Sequence, residues 1–222
     1  MKTIQLNLYG LEELDEKARQ KALQEFQDLN IDYDWWDFAY NDFISICSYI
    51  GITVDKNSIH FEGFYSQGDG CSFDSDVDLS KLWAGMGTSN WQEYAPNVDF
   101  PFTLTTTDSR VMNLINRNKV DMNARIIARQ RCYGVVVDLG VYPVSESVKN
   151  HDMIYGELDG LEKWFDGIAQ ILNRYLYKSL QQEYEYQTSN EAIAETIEAN
   201  DYLFTADGKS ATRLTRLANT QN

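Results

Sequence analysis

The 222-residue chain is 43% hydrophobic and 13% aromatic, which excludes an intrinsically disordered protein and allows a sizeable core. Its 19 Lys and Arg residues stand against 34 Asp and Glu residues, and the net charge of -15 excludes general binding to nucleic-acid backbones. No apolar run approaches the roughly 20 residues of a membrane span, and residues 1–10 lack the apolar core of a signal peptide, so we expect a cytoplasmic location and no membrane contact.

The chain opens with alternating apolar residues that predict a strand over residues 3–9. Asp15 is a typical N-cap and predicts the start of an amphipathic helix. A second helix is predicted over residues 33–50, with Gly51 as its C-terminal stop. A strand followed by two helices begins an α+β pattern.

Three aromatic residues at the start of that second helix form a candidate surface. Trp35, Trp36 and Phe38 lie too close in sequence to share one face of a helix. We therefore expect one of them to pack against the following hairpin or to line a pocket.

Residues 58–73, SIHFEGFYSQGDGCSF, predict a β-hairpin with aromatic side chains on both faces. An Asp-Gly pair alone would close such a hairpin, so the longer turn from Gln67 to Gly70 has two interpretations. In the first, it is an ordinary glycine-rich turn. In the second, Gly68 and Gly70 expose backbone N–H groups to a ligand, to which Gln67 and Asp69 add polar contacts.

The composition loosens over residues 84–107, where Pro96 and Pro101 lie in an aromatic, Asn-rich stretch. Irregular connections of this length are uncommon in compact domains, so the stretch is either a functional loop or a packed surface excursion. We predict one domain over residues 1–209 with a loop insertion at about residues 84–120. The basic tail, residues 210–222, is predicted to be flexible or docked on the acidic body.

Residues 122–142 predict two strands that turn near Gly134. Arg125, Arg129 and Arg131 on the first strand have the same parity and therefore share one face. One interpretation is that they pair with surface carboxylates. The other is that the row binds a phosphate or carboxylate ligand, forming an anion pocket with aromatic walls if it lies beside the glycine-rich turn.

The C-terminal third predicts helices. A wide apolar stripe over residues 158–180 predicts the main core helix. The spacing of Thr188 and Glu191 predicts a capping box for a short helix over residues 190–199. Together with the strands, these helices predict an α+β fold, a single domain in which an antiparallel β-sheet packs against several α-helices.

The chain carries no metal signature. Cys47, Cys71 and Cys132 are widely spaced and odd in number, which indicates reduced thiols. With only two histidines, a zinc or iron site of the usual kind is not expected. The Asp-x-Asp-x-Asp pattern that begins at Asp74 lacks the glycine and the distal glutamate of a calcium loop. We therefore expect no metal and no cofactor.

Three blocks of the sequence resemble a family of small bacteriophage and mobile-element proteins that is often labelled antitoxin-like. The blocks are the opening NLYGLEELDEKARQKALQEF, the hairpin FEGFYSQGDGCSF and the closing QEYEYQTSNEAIAETIEANDYLFTADGK. The most specific patterns are F-x-G-F-x-S-Q-G-D-G-x-x-F and Y-x-Y-x-T-S-x-E-A. The resemblance implies a phage or mobile-element protein in a bacterial host cell, a setting in which small non-enzymatic proteins often act on host defence. The resemblance implies no catalytic residues in this chain.

Three functions from different classes fit these observations. The first is a non-enzymatic counter-defence protein that binds and sequesters a small anionic nucleotide signal of host immunity, with arginines on phosphates and aromatic rings on bases. The second is an antitoxin-like protein or acidic inhibitor that masks a host or toxin protein partner. The third is an enzyme such as a phosphodiesterase, which would draw its base from His60, Glu62, Asp69, Asp74 or Asp76.

We favour the first function, a nucleotide sponge without catalysis. A homodimer is compatible with it, because a shared pocket would bury more of the ligand. The predicted ligand-binding residues are Trp35, Trp36, Phe64, Tyr65, Ser66, Gln67, Gly68, Asp69, Gly70, Arg125, Arg129 and Arg131.

Overall fold

The computed structural model describes residues 6–88, 90–93, 95, 120–129, 133–143 and 151–212. It confirms the predicted α+β class, with an antiparallel sheet packed against helices. The chain divides into two compact units, one of residues 1–36 with 182–222 and one of residues 37–181. Among the described residues, no helix combines the length and the apolar character of a membrane span.

The helices and strands follow one another along the chain in a mixed order. The helices are α1 (Glu16–Glu25), α2 (Asp37–Tyr49), α3 (Leu79–Thr88), α4 (His151–Gln187) and α5 (Asn190–Ala199). The strands are β1 (Ile52–Val54), β2 (His60–Glu62), β3 (Gly70–Ser72), β4 (Ser75–Val77), β5 (Val120–Ala128) and β6 (Val135–Pro143).

In the first unit, α1 begins where the sequence predicts. The Asp15 carboxylate accepts a hydrogen bond from the backbone N–H of Ala18 at 2.8 Å and so satisfies a free helix-end donor. The apolar side of α1 packs with Ile193 and Ile197 of α5 around the fully buried ring of Phe204. This small core holds the two ends of the chain together.

The cap of α5 lies one residue later than predicted. The hydroxyl of Ser189 accepts a hydrogen bond from the backbone N–H of Ala192 at 3.2 Å. The hydroxyl of Thr188 instead donates to the carbonyl of Tyr184 at 2.8 Å, back into α4. Both residues can cap a helix, and the end of α4 decides which one does.

The strand predicted over residues 3–9 is wrong in its described part. Residues 6–8 form no strand, and Leu6 is exposed. Only Tyr9 pairs: its N–H donates to the carbonyl of Phe204 at 2.8 Å and its carbonyl accepts the N–H of Phe204 at 2.9 Å. Residues 1–5 lie outside the described residues.

A charged turn near the end of the described chain contacts α1. The Asp207 carboxylate accepts a hydrogen bond from the Thr205 hydroxyl at 2.6 Å and pairs with Lys21 at 3.1 Å. These contacts, the Thr205 hydrogen bond first, hold the pKa of Asp207 well below its usual range. Gly208 has φ 76°, and a Cβ there would overlap the Ala18 carbonyl, so only glycine fits this approach.

Asp207→Asn should lower the melting temperature at neutral pH and have no effect in strong acid. A carboxylate with a depressed pKa contributes stability above the ordinary Asp pKa of about 3.9 and loses it as the pH falls toward the depressed value. The difference in melting temperature between wild type and variant should therefore shrink below about pH 4. A difference that stayed constant into strong acid would contradict this assignment.

In the second unit, the main sheet has the order β1-β4-β5-β6, and each neighbouring pair is antiparallel. The predicted turn between β5 and β6 is confirmed. The N–H of Arg129 donates to the carbonyl of Gly134 at 3.1 Å, and Gly134 has φ 141°. Alternation along β5 buries Ala124 and Ile126 and exposes Arg125.

The second helix, α2, begins at Asp37 rather than at residue 33, and Gly51 follows it with φ 79°. Phe43 is fully buried on its inner face, with its ring 5.0 Å from that of Phe73 on the chain after β3. This ring contact packs α2 against the segment between β3 and β4. Phe38 is 78% exposed and does not join this core.

The predicted insertion at about residues 84–120 falls largely outside the described residues. Its first residues continue α3, which ends at Thr88, and a 3-10 helix follows at Asn90–Glu93. Trp91 in that short helix is buried. Residues 89, 94 and 96–119 lie outside the described part, as do residues 213–222 of the predicted basic tail and Cys132.

Candidate functional site

The predicted hairpin is present but short. β2 and β3 pair antiparallel, with Phe61 opposite Cys71 and Glu62 opposite Gly70. After Glu62 the chain leaves the ladder, and residues 63–69 form a loop. The strand alternation predicted for this stretch therefore stops at Glu62, and contacts within the loop position the side chains beyond it.

The loop closes around the carboxylate of Asp69. Its Oδ2 atom accepts hydrogen bonds from the backbone N–H groups of Tyr65 at 2.9 Å and Ser66 at 2.7 Å. The N–H of Asp69 in turn donates to the carbonyl of Ser66 at 3.2 Å. Asp69 was predicted as a ligand contact, but one of its oxygens is committed to shaping the loop.

Two glycines make this loop conformation accessible. Gly63 lies in the left-handed region with φ 55°, and a Cβ there would overlap the Asp69 carboxylate. Gly68 has φ 102°, and its Cβ position has no atom within 4 Å. Gly63 is therefore required both for its dihedral angles and for the close approach of Asp69, whereas Gly68 is required for its dihedral angles alone.

The turn between β5 and β6 lies against the hairpin. A Cβ on Gly70 would come 2.6 Å from the Cβ of Tyr133, so the glycine admits the tyrosine. The Tyr133 hydroxyl donates to Oε2 of Glu62 at 2.9 Å. This hydrogen bond raises the pKa of Tyr133, because only the protonated phenol can donate it.

Helix α4 contributes a second tyrosine. The Tyr177 hydroxyl donates to the carbonyl of Gly63 at 3.3 Å, and its ring centroid lies 5.5 Å from that of Phe64. The Phe64 ring stacks on Phe61 at 5.8 Å with an interplanar angle of 22°. Burial first, and then the charge of Asp69, raise the pKa of Tyr177.

These contacts gather aromatic side chains from three parts of the second unit. Tyr65 extends the group, with its ring 6.4 Å from that of Phe64 and 71% of the residue exposed. We call the group the aromatic platform, and it consists of Phe61, Phe64, Tyr65, Tyr133 and Tyr177. Hydrogen bonds hold Tyr133 and Tyr177 against the hairpin, and ring contacts join Phe61, Phe64, Tyr65 and Tyr177.

The platform carries carboxylates as well as rings. Glu62 accepts from Tyr133, and Asp69 raises the pKa of both Tyr133 and Tyr177 by its charge. Both phenols are therefore protonated donors near neutral pH. A ligand on the platform meets flat rings and a negative edge, which suits base amino groups or ribose hydroxyls better than phosphates.

Two titratable groups, those of Cys71 and Tyr40, lie beneath the platform. Cys71 is buried, and its thiol lies 3.2 Å from the backbone carbonyl of Asn173. Burial raises the pKa of Cys71 to about 12, so the thiolate is not formed near neutral pH. Burial also raises the pKa of Tyr40, whose hydroxyl lies 3.4 Å from the carbonyl of Ile59.

The three acidic residues of the Asp-x-Asp-x-Asp pattern after β3, of which Asp74 and Asp76 were considered for catalysis, have structural partners. Asp74 accepts the backbone N–H of Ala128 at 2.7 Å, which joins the end of β5 to this segment. Asp76 pairs with Arg125 at 3.2 Å. Asp78 accepts the N–H of Lys81 at 3.1 Å in the first turn of α3. Among the described residues, no cluster of His, Cys, Asp and Glu is arranged to hold a metal ion.

The three predicted arginines differ in their surroundings. The side chain of Arg125 pairs with Asp76, its neighbour across β4 and β5, which favours the structural interpretation for this residue. Arg129 is exposed, lies at the turn beside Tyr133, and makes no ion pair with any described residue. Arg131 lies outside the described residues.

Trp35 and Trp36 belong to the first unit, whereas the platform belongs to the second. Trp35 is buried, with its ring 5.6 Å from Trp36 and 5.6 Å from Tyr184. These two ring contacts join Trp35 to an aromatic cluster within the first unit. Of the other predicted residues, Ser66, Gln67 and Gly68 are exposed on the loop beside the platform.

Sequence reasoning missed Tyr133 and Tyr177 as members of the site. Tyr133 lies in a predicted turn, and Tyr177 lies beside the apolar stripe of α4, so neither position differs in pattern from a surface tyrosine. The one local signal was Gly70, since a glycine in a strand often marks the close approach of another chain segment. Glu62 was considered only as a catalytic base, and the structure uses it as an acceptor for Tyr133.

Comparison with known proteins gives one match. The family model described as "Domain of unknown function (DUF8835)" matches residues 35–190, which include the whole platform. No curated protein and no solved structure matches the chain.

Proposed function

Because the chain belongs to the DUF8835 family, whose function is unknown, we propose a function from its own geometry. The protein binds and sequesters a small anionic nucleotide-like ligand on the aromatic platform, and it does so without catalysis. One observation carries the proposal: the β5–β6 turn that brings Tyr133 to the hairpin also carries Arg129, which is exposed and has no ion-pair partner among the described residues. Rings stack on bases and guanidinium groups bind phosphates, so the pair suits both parts of a nucleotide.

The size of the ligand follows from the energies of these contacts. One stacked base contributes about 1–3 kcal/mol, and one charge-assisted hydrogen bond contributes about 1.5–3 kcal/mol. Their sum is below the roughly 8 kcal/mol of a micromolar complex. A sponge must bind at least that tightly, so we expect a ligand with two bases or with several phosphates. Cyclic dinucleotides and ADP-ribose derivatives meet this condition.

The charges on the platform orient such a ligand. Phosphates are repelled by Glu62 and Asp69 and attracted by Arg129, so they lie on the Arg129 side of the β5–β6 turn and away from the Glu62–Tyr133 hydrogen bond. Base amino groups and ribose hydroxyls then lie toward the free oxygen atoms of the two carboxylates. The exposed loop residues Ser66 and Gln67 are placed to add polar contacts on the same side.

The resemblance to phage and mobile-element proteins supplies the biological setting. In that setting, a protein that captures a nucleotide signal would counteract host immunity by lowering the free concentration of the signal.

The proposal is tested by a retention screen. Purified protein is incubated with cyclic nucleotides and ADP-ribose-derived signals, filtered, and heated to release what it holds, and the released molecule is identified by mass. We expect an intact molecule at about one per chain. A shortened molecule would establish an enzyme instead, and no retention of any signal would contradict the proposal.

One observation favours a second candidate, an interaction with a basic protein partner. Glu62 and Asp69 give the aromatic platform a negative edge, and tyrosine-rich surfaces of this kind are typical of protein interfaces. This candidate and the first respond to different substitutions. Charge reversal at exposed acidic positions should abolish binding of a basic protein, whereas Arg129→Ala should leave it intact.

A further inference from the structure

The main sheet ends in a long strand, one side of which pairs with no other strand in the described part of the chain. β6 covers Val135–Pro143 and is the last strand in the sheet order, paired with β5 alone among the described residues. Edge strands present a row of backbone groups that can pair with another strand. A nine-residue edge is long for this position, because natural edges are usually short or covered.

The register identifies the backbone groups that point away from β5. Arg129 and Gly134 form a hydrogen-bonded pair at the turn, so hydrogen-bonded and non-hydrogen-bonded pairs alternate from there along the ladder. Val135, Val137 and Leu139 fall on the non-hydrogen-bonded positions, and their N–H and C=O groups therefore point outward. The side chain of Gln170 supports this assignment, since its Nε2 donates to the carbonyl of Val135 at 2.9 Å.

Among the described side chains, Gln170 is hydrogen-bonded to this edge at its first outward position, Val135. Beyond it lies a groove of about 510 Å³ between β6 and α4, lined by Val136, Val137, Asp159, Glu162, Lys163 and Asp166. The acidic members of this set recur at intervals of three and four residues and therefore form a row along one side of α4. With three carboxylates and one ammonium group, the α4 side of the groove is negative.

We propose that this groove is a docking site for an extended, Lys- or Arg-bearing peptide segment of a partner protein. The segment adds to the sheet as a strand beside β6, with backbone hydrogen bonds to Val137 and Leu139. Every second side chain of the added strand then points toward α4, where basic groups meet Asp159, Glu162 and Asp166. This site is separate from the aromatic platform and does not depend on the proposed function.

The negative charge of the groove favours a basic peptide over a second copy of the chain as its occupant. Two copies pairing through β6 would bring together two negative grooves on chains that each carry a net charge of -15. Like charges at such a contact oppose association. A basic segment removes this repulsion and fills the groove, so it is the better occupant.

The test uses a fluorescent peptide of alternating Val and Lys, about eight residues long, with the full chain. We expect saturable binding of this peptide. Binding should slow hydrogen exchange of the backbone amides of Val137 and Leu139 by about tenfold or more. Exchange at Val136 and Asp138 should change little, because these amides already pair with β5. A peptide N-methylated at alternate residues, and a Val-Glu peptide, should bind at least about tenfold more weakly.

Two protein variants distinguish docking in the groove from general electrostatic attraction between a basic peptide and an acidic protein. Asp159→Lys with Glu162→Lys should weaken peptide binding about tenfold, since it reverses two charges of the groove. Glu195→Lys with Glu198→Lys on α5 makes the same change in net charge at the same helical spacing, and it should change binding by less than about twofold. Equal effects of the two variants, or unchanged exchange at Val137 and Leu139, would overturn the proposal. Protection of these amides that rises with protein concentration alone would also overturn it and assign the edge to a second copy.

Discussion

Arg129→Ala should lower the affinity for the retained ligand about 10- to 100-fold, because it removes charge-assisted hydrogen bonds to phosphate worth about 1.5–3 kcal/mol. The fold should be unaffected, since the Arg129 side chain is exposed and makes no ion pair among the described residues. The measurement is titration calorimetry with the molecule recovered in the retention screen, together with a thermal melt of each variant.

Arg125→Ala is the matched control. Arg125 lies on the same strand face as Arg129 but pairs with Asp76, at the middle of β5 rather than at the turn. We expect its loss to change ligand affinity by less than about twofold, because an exposed ion pair contributes little. Equal losses of affinity in the two variants would show that both arginines bind phosphate along the strand. If neither variant lost affinity, neither arginine would belong to the binding site.

Gly63→Ala should lower the free energy of unfolding by about 2–4 kcal/mol. The left-handed backbone costs a non-glycine residue about 1–2 kcal/mol, and the new Cβ would overlap the Asp69 carboxylate. Asp69 must then move, which weakens its hydrogen bonds to the N–H groups of Tyr65 and Ser66. Denaturant unfolding of the full chain measures this change.

Making Gly63→Ala in an Asp69→Ala background separates the cost of the steric overlap from the cost of the backbone strain. In that background no carboxylate is displaced, so Gly63→Ala should cost only the roughly 1–2 kcal/mol of backbone strain. A cost that was the same in both backgrounds would contradict the role given to Asp69 as the internal anion of the loop. Ligand affinity should fall in Gly63→Ala as well, because the loop places Tyr65.

The parts of the fold that could be predicted from sequence are those fixed by local chemistry. Asp15 caps α1 because its carboxylate reaches an N–H three residues on, and Gly51 ends α2 because it adopts a positive φ. The parity of Arg125 and Arg129 predicted a shared exposed face because strand alternation is a local rule. The turn near Gly134 followed from the same kind of signal.

Other features depend on contacts between distant segments. Thr188 and Ser189 are equally good caps in isolation, and the end of α4 selects Ser189. The apolar alternation before Tyr9 predicted a strand, but among residues 6–9, the described part of that stretch, only Tyr9 finds a partner, Phe204, almost the whole chain away. Local preference cannot reveal whether a partner strand exists.

The platform was only partly predictable for the same reason. The hairpin sequence identified Phe64, Tyr65 and the glycines, since they lie within one motif. Tyr133 and Tyr177 come from a different hairpin and from α4, and their place in the site depends on Gly70 and on the carbonyl of Gly63. Asp69 was predicted as a ligand contact, and the hydrogen bonds of its carboxylate run to its own loop.

The central claim is that the aromatic platform is the binding surface of a non-catalytic protein. Its most direct test is a nuclear magnetic resonance titration with the molecule recovered in the retention screen, following backbone amides and aromatic ring protons. We predict that the chemical-shift changes concentrate at five residues of the platform and the adjoining turn, Phe64, Tyr65, Arg129, Tyr133 and Tyr177. We also predict that the ligand stays intact throughout the titration. Shifts confined to other parts of the chain, or gradual conversion of the ligand during the titration, would contradict the central claim.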